Sequence, residues 1–326
     1  MVTPDYYNKF VCIGGECKHN CCTGGWEIEV DEESMARFSN IGGEFGKKVL
    51  NSIDDENVFI RKNGKCPLLS DNGLCEMVCH GEDLCVICDE YPRFTEYFDD
   101  YSERGISLSC EAAADIILSN QDKVKLVGDS GKCDEELFPL LYNAREQIFD
   151  ILQNRQLDIF KRMRLVLDYG VALQERINNN EYGVFSYSPN DCWDTKCDLV
   201  NLLEFLDTLD ILDEKWHSVL KQGIESEKVS DGHSADSVVA EQLAVYFVYR
   251  YFLKALFDCD ALSKLMFMAV GVMSIIALAN ICGGIHESAR LFSIEIEHNE
   301  ENIEAIYDEF LFNDAFSVKN IINGIN

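Results

Sequence analysis

Apolar residues follow two regimes along the chain. Beyond about residue 133 they recur at helical spacing: Leu137, Leu140, Leu141, Ala144, Ile148 and Leu152, then Leu157, Phe160, Met163, Leu167 and Val171. Each series marks one face of a helix. More helices are expected near 199–222 and 236–258, with polar connectors over 178–198 and 223–235. The first 118 residues read differently, as short elements and loops punctuated by Gly14-Gly15, Gly24-Gly25, Gly42-Gly43 and Asp71-Asn72-Gly73. Leu265–Cys282 carries 18 residues without a charge, the lower edge of membrane-spanning length. It holds Ser274 and Asn280, has no basic residues just after its end and lies between amphipathic helices. The pattern predicts a buried central helix of a bundle rather than membrane insertion.

The fold class expected is therefore mainly α, with a cysteine-rich module of irregular elements over 1–120 followed by a helical bundle over 121–326. At 326 residues and 47% hydrophobic content the chain can bury a sizeable core. The start, MVTPDYYNKF, has neither a basic nor an apolar leader region, so a reducing cytoplasmic setting is expected. Charge narrows the partners: 58 acidic against 28 basic residues give −30, which repels nucleic acid and anionic lipid and suits a basic target. The stretch VGDSGKC resembles half a phosphate loop, but Leu126 stands where its first glycine belongs.

Ten of the fifteen cysteines fall within the first 110 residues: Cys12, Cys17, Cys21, Cys22, Cys66, Cys75, Cys79, Cys85, Cys88 and Cys110. Thiolates at short loop spacing, joined by others from far along the chain, suit zinc or an iron-sulfur cluster and exclude hard cations. His19 and His80 are the only nearby imidazoles, and neither stands at finger spacing, which favours an all-sulfur iron-sulfur site over zinc. The C-x3-C-x2-C spacing of radical S-adenosylmethionine enzymes is missing, since Gly24 and Glu82 occupy the third position. Successive side chains diverge, so Cys21 and Cys22 either feed two sites or leave one sulfur packed and inert. A metal that only folds a small domain is the plainest reading of these thiols. Cys133, Cys192, Cys197, Cys259 and Cys282 are expected as buried small residues.

The segments CIGGECKHNCCTGGWEI, CPLLSDNGLCEM, CDEYPR and SLSCEAAADIIL, in this order, resemble the amino-terminal region of the flagellin lysine N-methylase family. The later stretches YFVYRYFLKALFDCD and FSIEIEHNEENIEAI resemble that family's carboxy-terminal segments. Eight cysteines match its pattern, Cys12, Cys17, Cys21, Cys22, Cys66, Cys75, Cys88 and Cys110, whereas Cys79 and Cys85 are additions. The resemblance implies methyl transfer from S-adenosylmethionine to surface lysines of flagellin, with an iron-sulfur cluster, such as [4Fe-4S], in the cysteine region. No glycine-rich strand-to-helix turn of the Rossmann type is present, so a methyl-donor pocket would be built differently, between the cysteine module and the helices.

A lysine must lose its proton before its nitrogen can attack a methyl carbon, which calls for desolvation or for a carboxylate, tyrosine or histidine nearby. Candidates are Glu297 and His298 in IEIEHNEEN, with Glu295 beside them, and Tyr249 with Tyr246 and Arg250 on an otherwise apolar helix. On an α-helix Ile294 and His298 would share a face, as would Glu295 and Asn299. Trp26 and the triplet Tyr91, Pro92, Arg93 are expected to shape the cluster pocket. The alternative is a non-enzymatic iron- or zinc-binding module whose helices dock a partner. A redox enzyme lacks the flavin or nicotinamide fingerprint it would need.

Overall fold

The computed structural model describes residues 1–24, 26–190, 199–226 and 237–324. It is mostly helical, with 58% helix and 9% strand. The sheet has four short strands, β1 (Val2–Pro4), β2 (Arg93–Phe98), β3 (Tyr101–Ile106) and β4 (Leu126–Gly128), in the order β2-β3-β1-β4. β2 and β3 form an antiparallel hairpin turned at Asp99, whose φ is +54°. β1 runs parallel to β3, pairing Val2 with Glu103, and antiparallel to β4. This pairing fixes the chain start beside Tyr101–Ile106, the strand that leads into Ser107, Ser109 and Cys110.

Helices α1 (Glu32–Phe38), α2 (Gly43–Leu50), α3 (Glu76–His80) and α4 (Val86–Glu90) lie in the cysteine-rich part. α5 (Glu111–Leu118), α6 (Phe138–Leu152), α7 (Ile159–Asn178), α8 (Leu199–Leu206), α9 (Glu214–Glu225) and α10 (Ser237–Tyr251) follow. The chain then runs through α11 (Ala255–Asp258), α12 (Ala261–Cys282), α13 (Ile285–Phe292), α14 (Glu300–Phe312) and α15 (Val318–Gly324). The helix expected over 199–222 is two helices. The break falls at Asp213, whose carboxylate accepts the Lys215 N–H at 2.9 Å and caps α9, as a short acceptor side chain does for the orphan donors of a helix start. Parts of both predicted connectors, with Cys192 and Cys197, lie outside the described residues.

The charge-free stretch is the centre of the bundle: every residue of α12 from Leu265 to Leu278 is buried, against α7, α9, α10 and α13. Among the described residues it is the one helix long and apolar enough to cross a membrane, and it is spent on the interior. At Gly271 an added Cβ would stand 2.6 Å from the Phe247 ring, so α10 and α12 approach through that glycine. Gly271→Ala is expected to lower stability, because about 1–3 kcal/mol of overpacking outweighs the roughly 1 kcal/mol gain in helix propensity. Urea denaturation would measure it.

Two apolar cores form. A small one joins nine buried residues between Ile28 and Cys85. The large one takes in Val2, Tyr6 and Phe10 together with the chain from Phe98 to Ile322. The boundary near residue 120 thus falls inside the large core, and the amino terminus is part of the helical body. The described cysteines outside the amino-terminal set are not the buried residues expected: Cys133 and Cys282 are half-buried and Cys259 is exposed. Cys259 caps α11 in the left-handed region, φ +58°, which puts it on a surface turn.

Candidate functional site

Backbone ties draw the cysteine segments together. The Cys66 N–H donates to the Cys22 carbonyl at 2.8 Å. Asn20 donates through Nδ2 to the Gly73 carbonyl at 2.8 Å and accepts the Cys22 N–H through Oδ1 at 2.9 Å. Glu111 Oε2 accepts the N–H groups of Lys18 and His19 at 2.9 and 3.2 Å, so the first residue of α5 holds the loop between Cys17 and Cys21. Arg61 donates to the Trp26 carbonyl at 2.6 Å.

The sulfurs interact in two sets. Cys17 lies within electrostatic reach of Cys110, Cys12 and Cys21, and its pKa is pushed up to about 12 by burial first and then by these neighbours. Hydrogen bonding with Cys22 lowers Cys21 and Cys66 to about 7 and holds the Cys22 thiol well above the usual range. Cys75 and Cys88 both feel Cys66, and Cys88 is hydrogen-bonded to the buried addition Cys85. Cys12, Cys17 and Cys110 lie on one side and Cys22, Cys66, Cys75 and Cys88 on the other, with Cys85 against the latter and Cys21 within reach of both. The adjacent pair Cys21 and Cys22 is where the two sets meet. All the described cysteines are free thiols. Among the described residues no group of three or more His, Cys, Asp or Glu side chains stands in metal-holding geometry, so the thiols are gathered without forming a closed ligand shell. Cys79 is exposed, on the short helix α3.

Beside the thiols lies an aromatic group. Trp26 stacks on His298, ring centroids 5.6 Å apart and planes at 19°, and meets Tyr91 at 5.4 Å. Gly24 makes room for it, because an added Cβ would stand 2.5 Å from the indole. His298 follows a π-helical turn, Ser293–Glu297, where an α-helix was expected. The wider turn changes the facing relations of the segment, and such turns recur at functional sites. His298 faces solvent on one side. Burial against its neighbours, followed by the Arg250 charge, pushes its pKa down to about 4.

Its tautomer follows from a chain of hydroxyls. Arg250 Nη1 donates to Ser107 Oγ at 3.0 Å, and Ser109 Oγ donates to Ser107 Oγ at 3.0 Å. The Ser107 proton is then free for Ser293 Oγ at 3.2 Å. Ser109 has already given its proton, so His298 Nε2 donates to Ser109 Oγ at 2.7 Å. Nδ1 keeps its lone pair as an acceptor. Because the folded pKa lies below the ordinary value of 6.5, the neutral ring contributes stability that is complete above about pH 6.5 and is lost as pH falls through about 4. A histidine C–H NMR titration is expected to place the His298 midpoint near the lower value.

Glu297, next before His298 in the chain, is buried. Its Oε2 accepts from Tyr246 and Tyr251, both at 2.9 Å, and pairs with Arg250 Nη1 at 3.2 Å. Its Oε1 is buried without a partner. Glu295 instead accepts the Leu212 and Asp213 N–H groups at 2.8 and 3.1 Å, joining the π turn to the start of α9. Burial raises its pKa to about 7. Tyr249 stands apart from Glu297 and His298, because its hydroxyl lies 3.1 Å from the carbonyls of Val2 and Arg104 and ties α10 to the sheet. Tyr246 and Arg250, four positions apart on the same helix face, make the contact with Glu297. Serines 107, 109 and 293 and Tyr251 were not foreseen, since hydroxyls and an extra tyrosine carry no spacing signal. Comparison of this chain with known protein families and with solved structures finds no match to either.

Proposed function

We propose that the chain transfers methyl groups from S-adenosylmethionine to lysine side chains of flagellin. The observation that carries this reading is a neutral His298, its Nδ1 lone pair open, stacked on Trp26 beside the cysteine loops, with the adjacent Glu297 buried and one of its oxygens unpartnered. The two sets would each supply four thiolates, Cys12, Cys17, Cys21 and Cys110 to one site and Cys22, Cys66, Cys75 and Cys88 to the other. All-sulfur donors suit iron-sulfur clusters of the [4Fe-4S] type, with zinc as the alternative occupant. Such a group, when bound, supplies rigid closure of the surrounding loops.

The chain's own residues would do the rest. Desolvation against the aromatic wall of Trp26 and Tyr91 disfavours the charged lysine head, whose proton passes to bulk water as the neutral amine settles. His298 Nδ1 accepts one amine hydrogen and orients the nitrogen lone pair. That nitrogen forms the new N–C bond as the methyl carbon leaves the sulfonium, which becomes a neutral thioether. Glu297 is a positioning residue here, holding Arg250, and Tyr249 is architectural. His298→Ala is expected to lower kcat about tenfold, the worth of one orienting hydrogen bond, without loss of metal. Incubation with flagellin and methyl donor, followed by mass spectrometry, should show lysines heavier by whole methylene units. Unmodified lysines in a metal-loaded sample would contradict the proposal.

The non-enzymatic metal-binding reading draws on a different observation. Glu295 and Tyr249 are committed to structural hydrogen bonds, and the thiols alone would account for a folded module. A zinc-loaded, colourless chain that binds no methyl donor would favour it.

A further inference from the structure

A cleft of about 810 Å³ opens between the cysteine loop and the helical body, within the size range of small-ligand sites. One wall is the loop carrying Val11, Ile13 and His19, the second is α5 through Ile116, and the floor is the Gly283–Glu287 turn. Its charge departs from that of the chain. Four cationic side chains, Lys9, Lys18, Lys215 and Arg290, face three carboxylates, Glu111, Asp115 and Glu287, whereas the whole chain has 28 against 58. Glu287 is already claimed by Arg290 at 2.8 Å and by Lys215 and His19. Burial opposes its ionisation, yet the Arg290 and Lys215 hydrogen bonds hold its pKa down at about 2. Glu111 is occupied by the loop N–H groups. Among the described residues the ammonium groups of Lys9 and Lys18 have no partner. Val11 and Ile13 are 72% and 39% exposed, so apolar surface lies uncovered beside the free cations.

Two free cations, a surface carboxylate at Asp115 and bare apolar walls in one cleft describe a ligand with an anionic group, a cationic group and a flat apolar body. We propose that this cleft is the methyl-donor pocket, with Lys9 and Lys18 on the amino-acid carboxylate, Asp115 on its ammonium, and Val11, Ile13 and Ile116 against the nucleoside. The assignment rests on the methyl-transfer reading. Its place in the fold suits that reading: Ser109 bonds His298 while Glu111, two positions on, lines the cleft, with Cys110 between them. α13 contributes Arg290 to the cleft and runs directly into the π turn before His298.

Calorimetry on the full, metal-loaded chain tests it with S-adenosylmethionine and S-adenosylhomocysteine as probes. The double variant Lys9→Glu/Lys18→Glu reverses both free charges, and Ile116→Trp fills the cleft from the half-buried face of α5. Each is expected to weaken both nucleosides by about tenfold or more, the worth of one charge-assisted contact. Lys47→Glu, a surface pair elsewhere, should bind as wild type does. Unchanged metal content and melting temperature in each variant establish that the fold is intact. Wild-type affinity in both cleft variants would overturn the pocket and leave methyl transfer standing. Absence of binding to the wild-type chain would overturn both.

Discussion

Cys66→Ser is expected to unfold the cysteine-rich unit while leaving the helical body folded. The unit's core has nine buried residues, too few for independent stability at this size without a metal or other staple. Four-thiolate sites contribute on the order of 10 kcal/mol of apparent folding energy, and serine would remove one of the thiolates proposed to bind metal beside Cys22. Hydrogen exchange should therefore lose protection across 28–88, whereas amides of α7, α10 and α12 stay protected. Circular dichroism should fall only modestly, since most helix lies beyond residue 110. Cys79→Ser, an exposed position outside both sets, should behave as wild type. Uniform protection in Cys66→Ser would show that the small core stands by itself.

The second large effect is at Arg250. Its side chain is 11% exposed and Glu297 is fully covered, so Arg250→Met leaves a buried carboxylate with only two tyrosine donors. Removing one partner of a buried ion pair costs about 3–5 kcal/mol, because the remaining charge is uncompensated. Arg250→Met/Glu297→Leu should be markedly milder than the single variant, since both members of the pair are gone. Arg250→Met also removes the charge that lowers the His298 pKa, so the His298 midpoint should move up from about 4. Urea denaturation and NMR titration measure the two effects separately. Equal destabilisation by the single and double variants would show that the pair does not hold the π turn.

The helices were legible because apolar spacing is local: α6, α7 and the buried α12 follow directly from positions such as Leu141, Met163 and Phe267. The sheet was not, since strands of three to six residues carry little pattern and the pairing of Val2 with Glu103 joins distant segments. The cysteines were legible as a set, but the sequence left open whether Cys21 and Cys22 serve two sites or leave one sulfur inert, and in the fold their thiols hydrogen-bond to each other. Glu297 and His298 were legible as polar residues in an apolar context. Their division of labour was not, because the π turn replaces the i to i+4 relation on which facing arguments depend. The place of the Tyr249 hydroxyl, on the Val2 and Arg104 carbonyls, was not legible either, because a tyrosine on α10 gives no sign in sequence of which neighbour takes its hydroxyl. The basic cleft draws on loop, α5, α9 and α13 residues, each unremarkable among its own neighbours.

The proposed metal site at the thiols is tested most directly by iron, zinc and acid-labile sulfide analysis of protein purified without oxygen, read beside its visible spectrum. The account predicts iron with matching sulfide, a brown absorption at about 400 nm, and thiols in both sets that resist labelling until the metal is removed. A colourless chain without iron or zinc, whose eight matched cysteines all react freely in the folded state, would contradict it.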